Sequence, residues 1–251
     1  MFASGTGRAW CESNLQLIQP SIIAEFYNTL SSAALAIFAL TSLFLNRDYY
    51  NWIRPSAKPT IGLTAIAAIN TAYYHCTLSL FGQLLDELSL LWLWSYSFGL
   101  WAPGFPRTFK QNYMSQLRAV VGVMAVLCTC LAFVYPAANA YILMAMSIPI
   151  VAAVVVEYST VRNPSTARLA FEAVLVWSLG MIAWALDHFA CSLLLTLGFP
   201  YMHAVWHLAA AFGGYLANVF FIYVDTRATS NKPQLNYAFG VLPYVTLTPA
   251  I

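Results

Sequence analysis

The chain has 251 residues, of which 61% are hydrophobic and only 8% are charged, and its formal net charge is +2. A soluble domain carries about 25% charged residues, so this composition excludes a water-soluble globule and indicates an integral membrane protein. No nucleic-acid partner is expected.

The first 20 residues form a segment that precedes the first apolar stretch. This segment begins MFASGTGRAWCESN and lacks the basic start, apolar centre and small-residue cleavage site of a secretory signal peptide. Membrane insertion is therefore expected to depend on the first spanning helix.

Seven apolar stretches follow, and each approaches the ~20 residues needed to cross a hydrocarbon core of about 30 Å. Polar residues, prolines and glycines mark the breaks between them. We predict an all-α membrane protein, a single seven-transmembrane helix bundle over residues 1–251, with an outer segment at 1–20 and a tail at 226–251. The tail stretch LPYVTLTP is expected to lie along the membrane surface or to be loosely ordered. The seven stretches are residues 22–45, 60–80, 83–101, 117–135, 139–160, 168–190 and 202–224.

The basic residues gather on one predicted side of the membrane. Of the 11 Lys and Arg residues, Arg8 alone precedes the first stretch. This asymmetry predicts a cytoplasmic C-terminus and an N-terminus in a lumen or periplasm, in an ER, Golgi or bacterial inner membrane. The others follow odd-numbered stretches or lie in the tail: Arg47, Arg54, Lys58, Arg107, Lys110, Arg118, Arg162, Arg168, Arg227 and Lys232.

The five cysteines are scattered, and four of them lie in or directly beside apolar stretches. None forms a CxxC pair, so their spacing indicates neither a thiolate zinc site nor a disulfide framework. The cysteines are Cys11, Cys76, Cys128, Cys130 and Cys191.

Eight ionisable residues of the apolar stretches lie near the predicted outer end of the bundle. Each costs about 2.5–3.5 kcal/mol on insertion scales, so each is a functional candidate by default. They are Glu25, His75, Asp86, Glu87, Asp187, His188, His203 and His207.

Three of these histidines form a candidate metal site. His203 and His207 lie one helical turn apart, so their side chains can converge on one ion. His75 can supply a third ligand from a facing helix. Three neutral imidazoles that leave one position for water are the ligands of a catalytic zinc site, and zinc lowers the pKa of that water to about 7.

His203 and His207 have the spacing of the two histidines in an HExxH helix, but the glutamate of that motif is absent. The base for such a site must therefore come from another helix. Asp86 is predicted at the depth of the histidines, where a carboxylate can take a proton from the water. Thr71 precedes His75 by four residues and shares its helix face, so its hydroxyl can donate to an oxyanion or orient a ligand.

Other roles remain open for these residues. A single transmembrane histidine is more often a hydrogen-bonding group between helices than a ligand. A bis-histidine heme site is a competitor that the Asp86 and Glu87 carboxylates disfavour. His188 is expected to be structural or to lie at the rim, and Asp187 is either a partner of a ligating histidine or a packing group.

Oxygen donors near the first stretch suit calcium. Glu12, Asn14 and Glu25 are the candidates. From the residues alone, solvated loop positions for Glu12 and Asn14 and helix-packing roles for Asn28 and Ser31 are the stronger interpretation.

Five segments together resemble the alkaline ceramidases, seven-span lipid amidases of the superfamily that includes the adiponectin receptors. The segments are WCESN, AEFYNTLS, HCTLSLFGQLLDEL, WALDHFAC and HAVWHLAAAFGGYL. The resemblance implies zinc at His75, His203 and His207, with assistance from Asp86. At position 71 the family usually has Ser, so the Thr71 hydroxyl is kept with an added methyl group.

The same resemblance implies a calcium site at the start of the chain. The Trp10 carbonyl and the side chains of Glu12, Asn14 and Glu25 would be its ligands. Ala9 stands where the family has Asp, so weaker calcium binding is expected.

The resemblance implies an intramembrane, zinc-dependent hydrolase that cleaves the amide bond of ceramide into a sphingoid base and a free fatty acid. Its lipid substrate would reach the site through the bilayer. The alternative function is a seven-span receptor or regulator that retains a structural zinc site. No sequence feature sets the oligomeric state.

Overall fold

Long α-helices make up most of the chain in the computed structural model, which describes residues 10–13, 22–101, 111–161, 163–229 and 232–247. A π-helical turn at Tyr49–Ile53 and a 3₁₀ turn at Pro55–Ala57 lie between the second and third α-helices. The α-helices are α1 Phe26–Ser31, α2 Ala33–Leu45, α3 Lys58–Thr77, α4 Leu80–Trp101, α5 Gln111–Val134, α6 Pro136–Val161, α7 Pro164–Phe189, α8 Cys191–Thr196 and α9 Met202–Ala228.

Local chemistry explains several helix boundaries. α6 and α7 begin with Pro136 and Pro164, at the position where a missing N–H costs nothing. α3 ends at Thr77, and the next residue, Leu78, has a φ of 48° in the left-handed region, which turns the chain directly into α4. Ser32 keeps a helical backbone between α1 and α2, so these two helices form one continuous apolar unit.

Five helical segments of the described residues are long and apolar enough to cross a membrane. The predicted helical membrane protein is confirmed to this extent, whereas the count of seven spans stays a prediction. α3 and α4 have 20 and 22 residues and are not among these five segments; both carry polar residues of the candidate site. The five segments are Phe26–Leu45, Ser115–Val134, Pro136–Ser159, Thr166–Phe189 and Met202–Ala228.

Small residues allow α7 and α9 to pack closely. A Cβ atom on Gly180 would lie 2.9 Å from the Cβ of Ala209, and one on Gly213 would lie 3.2 Å from the backbone nitrogen of Trp177. Glycine at both positions therefore permits a close helix crossing of the kind common in membranes. This crossing fixes α9, which carries His203 and His207, against α7.

The largest hydrophobic cluster lies at the end of the bundle away from these histidines, around buried Tyr49 and Phe220. Arg54 forms a bidentate ion pair there, with both nitrogen–oxygen distances to Asp225 at 2.8 Å. The Tyr49 hydroxyl donates to the same carboxylate at 2.9 Å. The charges are thus paired where α9 meets the segment between α2 and α3.

The tail contains a β-hairpin, which corrects the prediction of a loosely ordered tail and adds one small sheet to the mostly helical chain. Strand β1, Pro233–Ala238, pairs antiparallel with β2, Leu242–Leu247. Gly240 supplies a positive φ of 75° in the connecting turn. The Tyr215 hydroxyl donates to the Pro243 carbonyl at 2.6 Å, which attaches the hairpin to α9. We call this end of the bundle the hairpin end and the opposite end the histidine end.

Candidate metal centre

The structure brings His75, His203 and His207 together. Each offers one nitrogen, and these three atoms lie within 4.8 Å of one another. The ring centroids are 5.0, 4.9 and 4.7 Å apart, and all three side chains are buried. In the described parts of the chain, this trio is the one group of three or more His, Cys, Asp or Glu side chains that could hold a metal ion.

Glu25 holds His75, the ligand candidate on α3. Its Oε2 lies 2.6 Å from His75 Nδ1, and neither side chain is accessible to solvent. When a carboxylate accepts a hydrogen bond from Nδ1–H, the proton stays on Nδ1 and Nε2 keeps its lone pair for a metal. Within the described residues, His75 Nε2 is buried and has no hydrogen-bond partner. Glu25 was predicted as a calcium ligand, but its observed contact is with a candidate zinc ligand.

Contacts from the first helical unit orient His207. Its Nδ1 lies 2.9 Å from the Ser31 hydroxyl and 3.2 Å from the Asn28 carbonyl. Because a carbonyl can only accept, Nδ1 carries the proton and Nε2 is left for a metal. Asn28 and Ser31, interpreted from sequence as packing residues, therefore contact a candidate ligand.

His203 lies under the N-terminal segment. The indole of Trp10 stacks on its imidazole, with ring centroids 3.6 Å apart and an interplanar angle of 18°. His203 Nδ1 is buried and lacks a partner among the described residues. Asp187 accepts hydrogen bonds from the backbone N–H groups of His203, at 3.1 Å, and Cys11, at 2.9 Å. It thus joins α7, α9 and the N-terminal segment, without contacting an imidazole nitrogen.

A disulfide between Cys11 and Cys191 fastens the N-terminal segment to the start of α8. This corrects the expectation that the cysteines form no disulfide. The two residues are 180 positions apart, so no short spacing motif could reveal the pair. A signal was nevertheless present, since both cysteines fall on the predicted outer side.

The donor set fits one metal ion. An unpaired buried nitrogen costs free energy, and a bound cation would satisfy His75 Nε2 and His203 Nδ1 together. Neutral imidazoles suit zinc and other first-row transition metals. Ring centroids no more than 5.0 Å apart leave no space for a porphyrin plane between two of these imidazoles, which argues against the heme alternative.

Asp86 and Thr71 form a pair beside the histidines. The Thr71 hydroxyl donates to Asp86 Oδ1, and both side chains are buried. Both line the same cavity as His203 and His207. Thr71 and Asp86 therefore share a cavity with two of the candidate metal ligands, and their direct contact is a feature that the sequence did not reveal.

The remaining predicted residues occupy other positions. Glu87 accepts hydrogen bonds from Gln83 and Asn139, each at 2.9 Å. His188 is half-buried, and its Nε2 lies 2.8 Å from the Tyr141 hydroxyl.

Trp10, Glu12 and Glu25, three of the four predicted calcium ligands, lie beside the candidate metal centre. Glu12 accepts hydrogen bonds from the backbone N–H groups of Tyr27, at 2.7 Å, and Asn28, at 2.9 Å. Burial raises the pKa of Glu12, and these two N–H groups partly offset that effect. Asn14 lies outside the described residues. Calcium at Trp10, Glu12, Asn14 and Glu25 therefore stays a prediction.

An apolar cavity of about 230 Å³ begins at the metal centre and continues towards the hairpin end. Its lining on α9 runs from His203 to Phe221, a distance of about 27 Å at 1.5 Å per residue. That distance approaches the ~30 Å thickness of a hydrocarbon core. The arrangement can place a metal at one end of a long space suited to hydrocarbon chains.

Comparisons with known proteins agree along nearly the whole chain. A family model described as Ceramidase matches residues 6–246. The alkaline ceramidase of Drosophila melanogaster is 30% identical over 248 residues, covering 95% of this chain and 86% of that protein. The alkaline ceramidase of Caenorhabditis elegans is 31% identical and covers 98% of this chain and 95% of that protein. Alkaline ceramidase 1 of Mus musculus is 35% identical, and the match covers 79% of this chain and 72% of that protein.

Proposed function

This chain belongs to the ceramidase family, and we propose that it hydrolyses the amide bond of ceramide with a zinc ion held by His75, His203 and His207. The observation that carries the proposal is the convergence of these buried imidazoles, two of which have an unpaired buried nitrogen. The products are a sphingoid base and a free fatty acid.

We further propose that the bundle spans the membrane seven times. α3 and α4 have 20 and 22 residues, which corresponds to about 30 and 33 Å, enough to cross the hydrocarbon core. Their polar residues Thr71, His75, Asp86 and Glu87 are buried, so they need not contact lipid. The basic-residue asymmetry supports a cytoplasmic C-terminus. The disulfide supports a histidine end in an oxidising lumen or periplasm.

In the proposed catalytic site, the zinc ion and the protein side chains have separate roles. Bound zinc would supply Lewis acidity and lower the pKa of a coordinated water to about 7. Asp86 accepts a proton and later delivers one to the leaving amine. Thr71 donates to Oδ1 of Asp86, which orients the carboxylate and leaves Oδ2 for the proton transfer.

The bundle supplies orientation and exclusion of water. Glu25 and the Asn28 carbonyl fix the rings of His75 and His207, so the ligand nitrogens face one point. Trp10 covers His203 from the outer side. The apolar lining of the cavity supports binding of the hydrocarbon chains of a bilayer lipid, with the amide bond at the histidine end.

Histidine substitutions test the proposal. We expect purified His203→Ala and His207→Ala proteins to lose zinc and to release no fatty acid from ceramide. His188→Ala is a matched control, because His188 lies nearby and contacts Tyr141 but lies outside the trio. Full zinc occupancy with unchanged turnover in the first two variants would refute the site. Stoichiometric zinc in a wild-type protein without hydrolysis would favour the receptor or regulator alternative.

A further inference from the structure

A second set of polar side chains lines the cavity below the metal centre. Each of four helices carries one of these side chains. Each of these residues lies eleven positions along the chain from a polar residue of the histidine end. All four line the cavity. We call this set the floor ring, and its members are Ser42 on α2, eleven residues from Ser31; Thr60 on α3, eleven from Thr71; Ser97 on α4, eleven from Asp86; and Asn218 on α9, eleven from His207.

The spacing places the floor ring at one depth. Eleven residues make about three helical turns, so both members of a pair lie on the same helix face, about 16.5 Å apart. Contacts confirm this register at both levels: Ser31 touches His207, and Ser42 touches Asn218. The distance is close to half of the ~30 Å hydrocarbon core, which is the depth that one acyl chain occupies in a leaflet.

Asn218 is the centre of the floor ring. Its Nδ2 lies 2.7 Å from the Ser42 hydroxyl and 2.9 Å from the Tyr50 hydroxyl. Its Oδ1 is buried and has no hydrogen-bond partner in the described residues. Beneath it, the rings of Trp101 and Phe221 stack with centroids 5.9 Å apart, and both also line the cavity.

We propose that the floor ring sets the maximum length of the acyl chain that the cavity accepts. The inference rests on the proposed hydrolysis of ceramide. The carbonyl group of the cleaved amide must lie at the candidate metal centre, so the acyl chain extends from there towards the floor ring. Only a sufficiently long chain brings its methyl end to the ring. At the floor ring a methyl group meets polar side chains that are already hydrogen-bonded to one another, as Asn218 Nδ2 is to the Ser42 and Tyr50 hydroxyls. It cannot replace these hydrogen bonds, so a chain that reaches the ring gains less from each further methylene than it gains on the apolar lining above.

Two substitutions make the floor apolar in different ways. Asn218→Leu replaces the amide by an apolar side chain of similar size. It leaves no hydroxyl unpaired, because Ser42 and Tyr50 lie 3.0 Å apart and bond to each other. Ser97→Ala removes a cavity-lining hydroxyl outside that cluster, so it provides a second test that does not depend on folding of the first variant. Ser95→Ala is the control, since Ser95 is on the same helix but does not line this cavity.

The experiment measures kcat/KM for ceramides that differ only in acyl length, using purified full-length protein. For wild type we expect kcat/KM to rise and then fall with chain length. In Asn218→Leu, kcat/KM should begin to fall at a chain length two or more carbons greater than in wild type. Each buried methylene contributes about fourfold, so two of them should raise the ratio of kcat/KM for long-chain to short-chain ceramide about 15-fold. Ser97→Ala should shift the profile in the same direction by less, and Ser95→Ala should not shift it.

The outcomes separate the two proposals. Chain-length profiles that are unmoved in both floor variants would overturn the role of the floor ring and leave ceramide hydrolysis standing. A wild-type protein that hydrolyses no ceramide of any length would overturn the proposed function.

Discussion

Glu25→Gln is expected to weaken zinc binding without removing a ligand. The Glu25 carboxylate lies 2.6 Å from His75 Nδ1 and also accepts hydrogen bonds from the Trp10 backbone at 3.0 Å and from Asn28 Nδ2 at 3.0 Å. Glutamine keeps the shape of the Glu25 side chain but loses its negative charge. Its NH₂ group replaces one of the two accepting oxygens, so it faces at least one hydrogen-bond donor and cannot accept from it.

The expected magnitude follows from this geometry. Loss of a carboxylate behind a metal-bound histidine typically lowers metal affinity about 10–100-fold. Because the His75 and Glu25 side chains are fully buried, water cannot replace the lost partner, and we expect the upper part of that range. Activity at limiting zinc should fall accordingly, whereas saturating zinc should restore most of it.

The assay is competition between the purified protein and a zinc-binding dye, with fatty-acid release measured at limiting and saturating zinc. Glu87→Gln is the matched control. Glu87 is also a carboxylate buried in the bundle, and it accepts hydrogen bonds from Gln83 and Asn139; we expect its substitution to leave zinc affinity unchanged. A Glu25→Gln protein that binds zinc as tightly as wild type would refute the assigned role of Glu25.

Three further predictions concern the neighbouring groups. Asp86→Asn should retain zinc and lose about 10²–10⁴-fold in ceramide hydrolysis, as measured by mass spectrometry; activity equal to wild type would remove Asp86 from the mechanism. Cys11→Ser should lower stability by about 2–4 kcal/mol in unfolding experiments, whereas Cys128→Ser, at a free cysteine, should not; equal stabilities would mean that the Cys11–Cys191 bond contributes nothing. Calcium titration should give weak binding, with a Kd of about 10⁻⁴–10⁻³ M, because Ala9 supplies no carboxylate; submicromolar binding would contradict this.

The sequence predicted the parts of the site that local spacing controls. One helical turn separates His203 from His207, and polar residues at one predicted depth identified His75 and Asp86. The contacts that orient them were not predictable in the same way. Glu25 lies 50 residues from His75, and their hydrogen bond depends on how α3 packs against the start of α1.

The number of membrane spans and the structure of the tail were hard to predict from the sequence for other reasons. The site residues of α3 and α4 reduce the apolar character of those helices, so the same residues that reveal the function weaken the signal for a span. The hairpin depends on long-range docking, as when the Val245 N–H donates to Asn46 Oδ1 at 2.9 Å, a contact between residues 199 positions apart. Periodicity alone did not identify it.

Zinc dependence of ceramide cleavage is the central claim. The most direct measurement removes the metal from purified wild-type protein, then follows zinc content and fatty-acid release together while zinc is added back. We predict that release disappears with zinc and returns in proportion to zinc bound, reaching its maximum at one ion per chain. Hydrolysis of ceramide at the full rate by the metal-free protein would contradict the account.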